Sequence, residues 1–154
     1  MFPSQHRAAP PPEPLSDEQA KTQVIDPAKQ IATVNDLADL SGTFQWESCN
    51  DQGDPPYRGR VDMLFTVPTG VDRQAYFQQI AATMAKQSGW TAGPPPGMRP
   101  FGAAVHKDGV MVIIGESGTV GHHGSIRLFG ECRNMQDHHT DNGFQRITSE
   151  LAGG

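Results

Sequence analysis

Long apolar runs are missing from this sequence. The best is "VMVII", Val110 to Ile114, far short of the roughly 20 residues a membrane-spanning helix requires. The opening "MFPSQHRAAPPPEP" also lacks the hydrophobic stretch of an export signal. Positive charge is scarce: 12 Lys and Arg against 17 Asp and Glu give a net charge of −5, which removes the electrostatic ground for nucleic-acid binding. Along the chain no basic stripe stands out that draws a protein to an anionic lipid surface. Apolar residues make up only 36%, so the core is modest. What is plentiful is Gly (17) and Pro (13), and with them turns. At 154 residues the chain reads as one domain with polar ends.

Residues 1–14 hold five prolines and predict an extended, disordered tether, reaching about 40 Å in polyproline geometry. Ser16 and Gln19 form a capping-box pattern with Leu15 placed to staple onto the first turn, and Asp26-Pro27 reads as a second helix start. Val24, Ala28, Ile31 and Leu37 or Ala38 fall on one stripe before Gly42, predicting two short helices or one kinked at Pro27. From Gly42 the period becomes two. "TFQWESC" alternates Phe44 and Trp46 with polar residues, and "RVDMLFTV" aligns Val61, Met63, Phe65 and Val67.

Asp72 then caps a helix with a Tyr76/Phe77, Ile80, Met84 stripe, stopped at Gly89. Asp108-Gly109 is the strongest hairpin signal, and "SIRLFGECR" is the last strand, with Ile126, Leu128 and Cys132 of one parity. The order predicts an α+β fold: an antiparallel sheet of about five strands with one helix across a face, plus one or two N-terminal helices. The folded domain is expected over residues 15–139 and a polar tail over 140–154, with at most a short helical turn near Gln145–Leu151.

Cysteine occurs only twice, at Cys49 and Cys132. Both border polar turns, unlike a buried free thiol. Glu47, Asp51 and Asp54 surround Cys49 and oppose a catalytic thiolate. A disulfide needs an oxidising compartment and neighbouring strand ends, and closes a loop of more than 80 residues. That closure is worth about 4 kcal/mol in the chain-entropy picture. The pairing Cys49–Cys132 is therefore expected. Alternation from Phe44 and Trp46 puts Cys49 on the opposite face, so the strand must bend or end near Ser48.

The segments "SCNDQGDPPY", "GWTAGPPPG", "HKDGV" and "GECRNMQDHH", in that order, resemble the small mycobacterial cell-envelope lipoproteins of the LppJ type. With "LSDEQAKTQVIDPAKQI" upstream, the resemblance spans residues 15–139. It implies a secreted, oxidised domain, a signal peptide removed on export, and a lipidated N-terminal cysteine as membrane anchor; neither of these last two is in this sequence. The resemblance implies no activity.

His122, His123, His138 and His139, with Asp137 and Asp141, supply zinc-type ligands, yet adjacent histidines rarely both ligate and no HExxH spacing occurs. Metal binding through this His/Asp-rich region is the first alternative, though no metal or other cofactor is expected. Gly115, Gly118, Gly121 and Gly124 recur every third residue but lack the Lys-Ser/Thr and helix of a phosphate loop. Ser117, His106 and Asp108 can be drawn as a triad, but no GxSxG turn surrounds a serine, so a small hydrolase is the weaker alternative and no catalytic residue is assigned. "GDPPY" and "GWTAGPPPG" place Tyr57 and Trp90 beside rigid proline loops, where they offer a binding surface or pack into the domain. The reading is a non-catalytic, exported, lipid-anchored binding module of the outer envelope face, touching the membrane only through its anchor. Its partner is an envelope protein, glycan or lipid, and not nucleic acid.

Overall fold

Ser16 and Gln19 do what their spacing predicts. The Ser16 hydroxyl accepts from the Gln19 N–H at 3.1 Å and the Gln19 side chain accepts from the Ser16 N–H at 2.9 Å, starting helix α1 (Asp17–Asn35). The structure, a computed structural model, describes residues 13–50, 52–99, 102–118, 123–141 and 143–152. Nearly all of the expected tether lies outside those residues, as do Gly121 and His122.

Of the two readings at Asp26-Pro27 the single helix holds: no second helix starts there, and Pro27 sits inside one continuous helix. Proline removes the N–H that the Gln23 carbonyl would accept. The burial of Val24, Ala28 and Ile31, all fully inside, outweighs that loss. The helix ends at Asp36 in the left-handed region (φ 48), so Leu37 and Ala38 leave the stripe and the chain enters β1 (Ala38–Ser48). β1 opens with an irregularity between Ala38 and Ser41.

β2 (Tyr57–Thr66) alternates buried and half-buried positions without a break. The Asp72 carboxylate accepts from the Ala75 N–H at 2.9 Å and starts α2 (Arg73–Ala85), which buries Phe77, Ile80, Ala81 and Met84. β3 (Thr91–Ala92), β4 (Ala103–Lys107), β5 (Val110–Glu116), β6 (His123–Phe129), β7 (Gln145–Arg146) and α3 (Thr148–Ala152) complete the chain. Asp108 (φ 47) and Gly109 (φ 83) make the β4–β5 turn with positive φ at both centres.

The sheet is antiparallel throughout, in the order β3-β4-β5-β6-β2-β1-β7. The α+β class holds, but the described residues form seven strands, not about five, because two-residue strands finish each edge. Two residues are too few to carry an alternation. The C-terminal segment is not a polar tail either: β7 pairs with β1, and Ile147 and Leu151 are 1% and 2% exposed. α1 joins α2 in covering the sheet, where one helix was expected.

All helices lie on one face. Val24, Ile31, Phe77, Ile80 and Leu151 share a single core with Phe44, Val61, Leu128 and Val112, which stand opposite one another on adjacent strands. Gly59 permits the closest approach: a Cβ there meets the Ala20 carbonyl oxygen at 2.8 Å. Residues of the other parity, Ile113 and Phe129 among them, lie outside this core, and no helix of the described residues covers that face.

Candidate functional site

β1 stops at Ser48, and the Cys49 N–H donates to the Pro56 carbonyl at 3.0 Å, turning the chain as the disulfide requires. Cys49 and Cys132 are bonded, with Cα atoms 6.1 Å apart. Around this end of the sheet gather most of the polar residues picked out in the sequence. His138 is buried and stacks on Trp46, centroids 3.9 Å apart. Its Nδ1 lies 2.7 Å from the Asp141 carboxylate, and its Nε2 lies 3.0 Å from Asn134 Oδ1 and 3.1 Å from Asp17 Oδ1. Both nitrogens are thus committed to holding the chain together.

Asn134 is the residue sequence reasoning missed. It is fully buried, exchanges backbone hydrogen bonds with Tyr57 (2.7 and 3.1 Å), and donates from Nδ2 to Leu15 O and Asp17 Oδ1. One residue therefore joins the start of β2 through its backbone, and the start of α1 and His138 through its side chain. His139 lies half-exposed between Asp137 and Asp54, contacting Asp54 Oδ1 at 3.0 Å. Its hydrogen bond to Asp137 raises its pKa above the ordinary value, against some desolvation; the backbone and side-chain hydrogen bonds from His139 lower that of Asp137. Among the described residues, no three His, Cys, Asp or Glu side chains are grouped so as to hold a metal ion. His123 starts β6, in a different part of the fold.

Tyr57 and Trp90 do not present a surface. Tyr57 is 3% exposed and its hydroxyl donates to the Gly53 carbonyl; Trp90 is 6% exposed, with Nε1–H donating to Gln30 at 3.0 Å and Lys107 over its ring. A proline loop beside an aromatic looks the same in sequence whether the ring points out or in. Here the Trp90 ring joins the core, and the Tyr57 ring is buried against His138.

The surface that remains is the helix-free face of the sheet. Strand register places Arg146, Thr43, Asp62, Arg127 and Ile113 in one cross-strand row. Gln45, Arg60, Phe129, Met111 and His106 form the next. Glu47 receives Arg58 Nε at 2.6 Å and Arg60 Nη1 at 2.9 Å, and Arg60 Nε also reaches Asp62 at 3.1 Å. Both guanidinium groups lie over the Phe129 ring, 4.7 and 5.1 Å from its centre. Burial pushes the Glu47 carboxyl up, but hydrogen bonds and charge from Arg58 and Arg60 outweigh it and hold its pKa below the ordinary value.

Arg127 and Arg146 differ from this pair. Neither forms an ion pair with another described residue. Beside Arg146 a groove of about 370 Å³ is lined by Ser41, Thr43, Asp62, Leu64 and Thr148. No local sequence signal marks this face, because its arginines come from β2, β6 and β7. Only their polar parity on each strand pointed outward.

The family described as "Putative lipoprotein LppJ" matches residues 16–150. Proteins of that name from Mycobacterium tuberculosis and Mycobacterium bovis are 46% identical to this chain over 139 residues, covering 90% of it and 72% of the relative. No solved structure matches.

Proposed function

This chain belongs to the "Putative lipoprotein LppJ" family, and from that premise we propose a non-catalytic binding domain of the cell envelope. It is exported and held at the outer face of the membrane by a lipid anchor. The Cys49–Cys132 bond supports the compartment, since such bonds persist in oxidising surroundings.

The observation that carries the binding role is the helix-free sheet face. A rigid antiparallel sheet there carries fixed charges and half-exposed apolar side chains with no helix over them among the described residues. Charged and apolar groups interleaved on a firm support make an interaction surface at little ordering cost.

The test is photo-crosslinking in the native host with the lipidated protein. A crosslinker replaces Gln45 or Met111 on the open face, or Gln79 or Ala82 on the exposed side of α2. Adducts confined to the open-face positions are expected. Adducts only from α2, or equally from both sides, would sink the reading.

A further inference from the structure

We propose that the open sheet face is a docking surface for the anionic phospholipid headgroups of the membrane beside which the domain is held. This deepens the reading above and rests on it. It also adds a second membrane contact to the anchor, which the sequence did not foresee.

Charge is the first argument. Four arginines (Arg58, Arg60, Arg127 and Arg146) and two carboxylates (Glu47 and Asp62) stand on this face. The chain as a whole has 12 cationic and 17 acidic side chains, so the remainder carries seven more carboxylates than cations. A face that carries more cations than carboxylates, on a chain otherwise rich in carboxylates, is the one a negative plane favours.

The arrangement within the face is the second. Arg58 and Arg60 are neutralised by Glu47 and Asp62, which leaves the charges of Arg127 and Arg146 unspent. These two occupy the same row, three strand spacings apart, or about 14 Å. That separation lets each meet its own headgroup. In the groove beside Arg146, the Thr148 hydroxyl accepts from the Gly42 N–H at 3.1 Å and keeps its own proton to donate. Ser41 and Thr43 add two more hydroxyls, a donor set suited to phosphate and glycerol oxygens. Half-buried Leu64 and Met111 lie on the same parity, placed to meet the headgroup boundary.

Reach does not restrict the choice of face. The twelve residues before Glu13 span up to about 40 Å when extended, against a radius of gyration near 14 Å for a domain of this size.

The oxidised full chain is tested by cosedimentation with vesicles of phosphatidylglycerol in phosphatidylcholine, and of phosphatidylcholine alone. Binding to the anionic vesicles only, lost in about 0.5 M salt, is expected. The double variant R127Q/R146Q should weaken it by about tenfold or more. Arg127→Lys with Arg146→Lys should restore most of it, and Lys86→Gln on the helical side should change it little. Circular dichroism verifies that each variant is folded.

Equal binding to both vesicle types, or unchanged binding by the double variant, overturns the proposal. Displacement by soluble glycerol phosphate, without vesicle binding by the free chain, overturns it in favour of a small-molecule phosphate site. If vesicles fail while open-face crosslinks capture an envelope protein, lipid docking is wrong and the binding-face reading stands. If both fail, the parent reading fails with it.

Discussion

The imidazole of His138 lies flat on the indole of Trp46, with ring centroids 3.9 Å apart and planes 10° from parallel, while Tyr57 meets the same imidazole edge-on at 5.1 Å. This places a buried histidine between an aromatic pair and two carboxylates at the disulfide end of the sheet. His138→Ala deletes the stack and leaves Asn134 and the Asp141 segment without their partner. A loss of about 2–4 kcal/mol is expected in urea unfolding. A change below about 0.5 kcal/mol would show that the C-terminal segment is held by other contacts.

Reduction has a comparable reach. The Cys49–Cys132 bond spans 83 residues of sequence, and removing it frees a loop worth about 4 kcal/mol or less. Cys49→Ser with Cys132→Ser should therefore lower the urea midpoint markedly, and reductant should do the same to the wild type but not to the double variant. An unchanged midpoint in reductant would refute the bond as a source of stability.

His139 predicts a pH dependence of definite sign. Its folded-state pKa lies above the ordinary 6.5, so its contribution is complete below that value and is lost as pH rises through the raised one. Asp137, lowered from 3.8, works oppositely: its share is present above that value and lost as pH falls through the lowered one. The stability gap between wild type and His139→Gln should be widest between these limits and shrink as pH rises through the raised His139 value. A gap constant from pH 5 to 9 would rule out the His139 pairing as its source.

Gly59→Ala should cost about 1–3 kcal/mol, because the new methyl meets the Ala20 backbone at 2.8 Å and the Phe44 ring at 2.9 Å. Thermal denaturation reports it. Gly70→Ala is the instructive contrast: that glycine has open space and φ 84, so its penalty is backbone strain alone.

Much of the architecture was written locally. Ser16/Gln19, Asp72, Asp108-Gly109 and the alternation of Val61, Met63 and Phe65 each specify their own element, and each appears where expected. Pro27 left open two short helices or one helix through it, and the single helix forms because burial on both sides of the proline outweighs the lost hydrogen bond. Asn134 was illegible: nothing near it in sequence shows that its backbone pairs with β2 while its side chain ties down the start of α1. The arginine face was hidden for the same reason. A stripe sought along the chain is absent, while strand register assembles one across it.

Arg133 gives the molecule a mechanical property. Its guanidinium grips the Glu13 carbonyl at 2.6 and 2.9 Å, and its own carbonyl accepts the Leu15 N–H at 2.8 Å. Cys132, its chain neighbour, is covalently fastened to the end of β1. Tension applied through the N-terminus therefore enters the domain at its one covalent crosslink and passes directly into a long strand paired along β2. While these hydrogen bonds hold, they shield α1, the element that an unsecured N-terminal pull would otherwise peel away first.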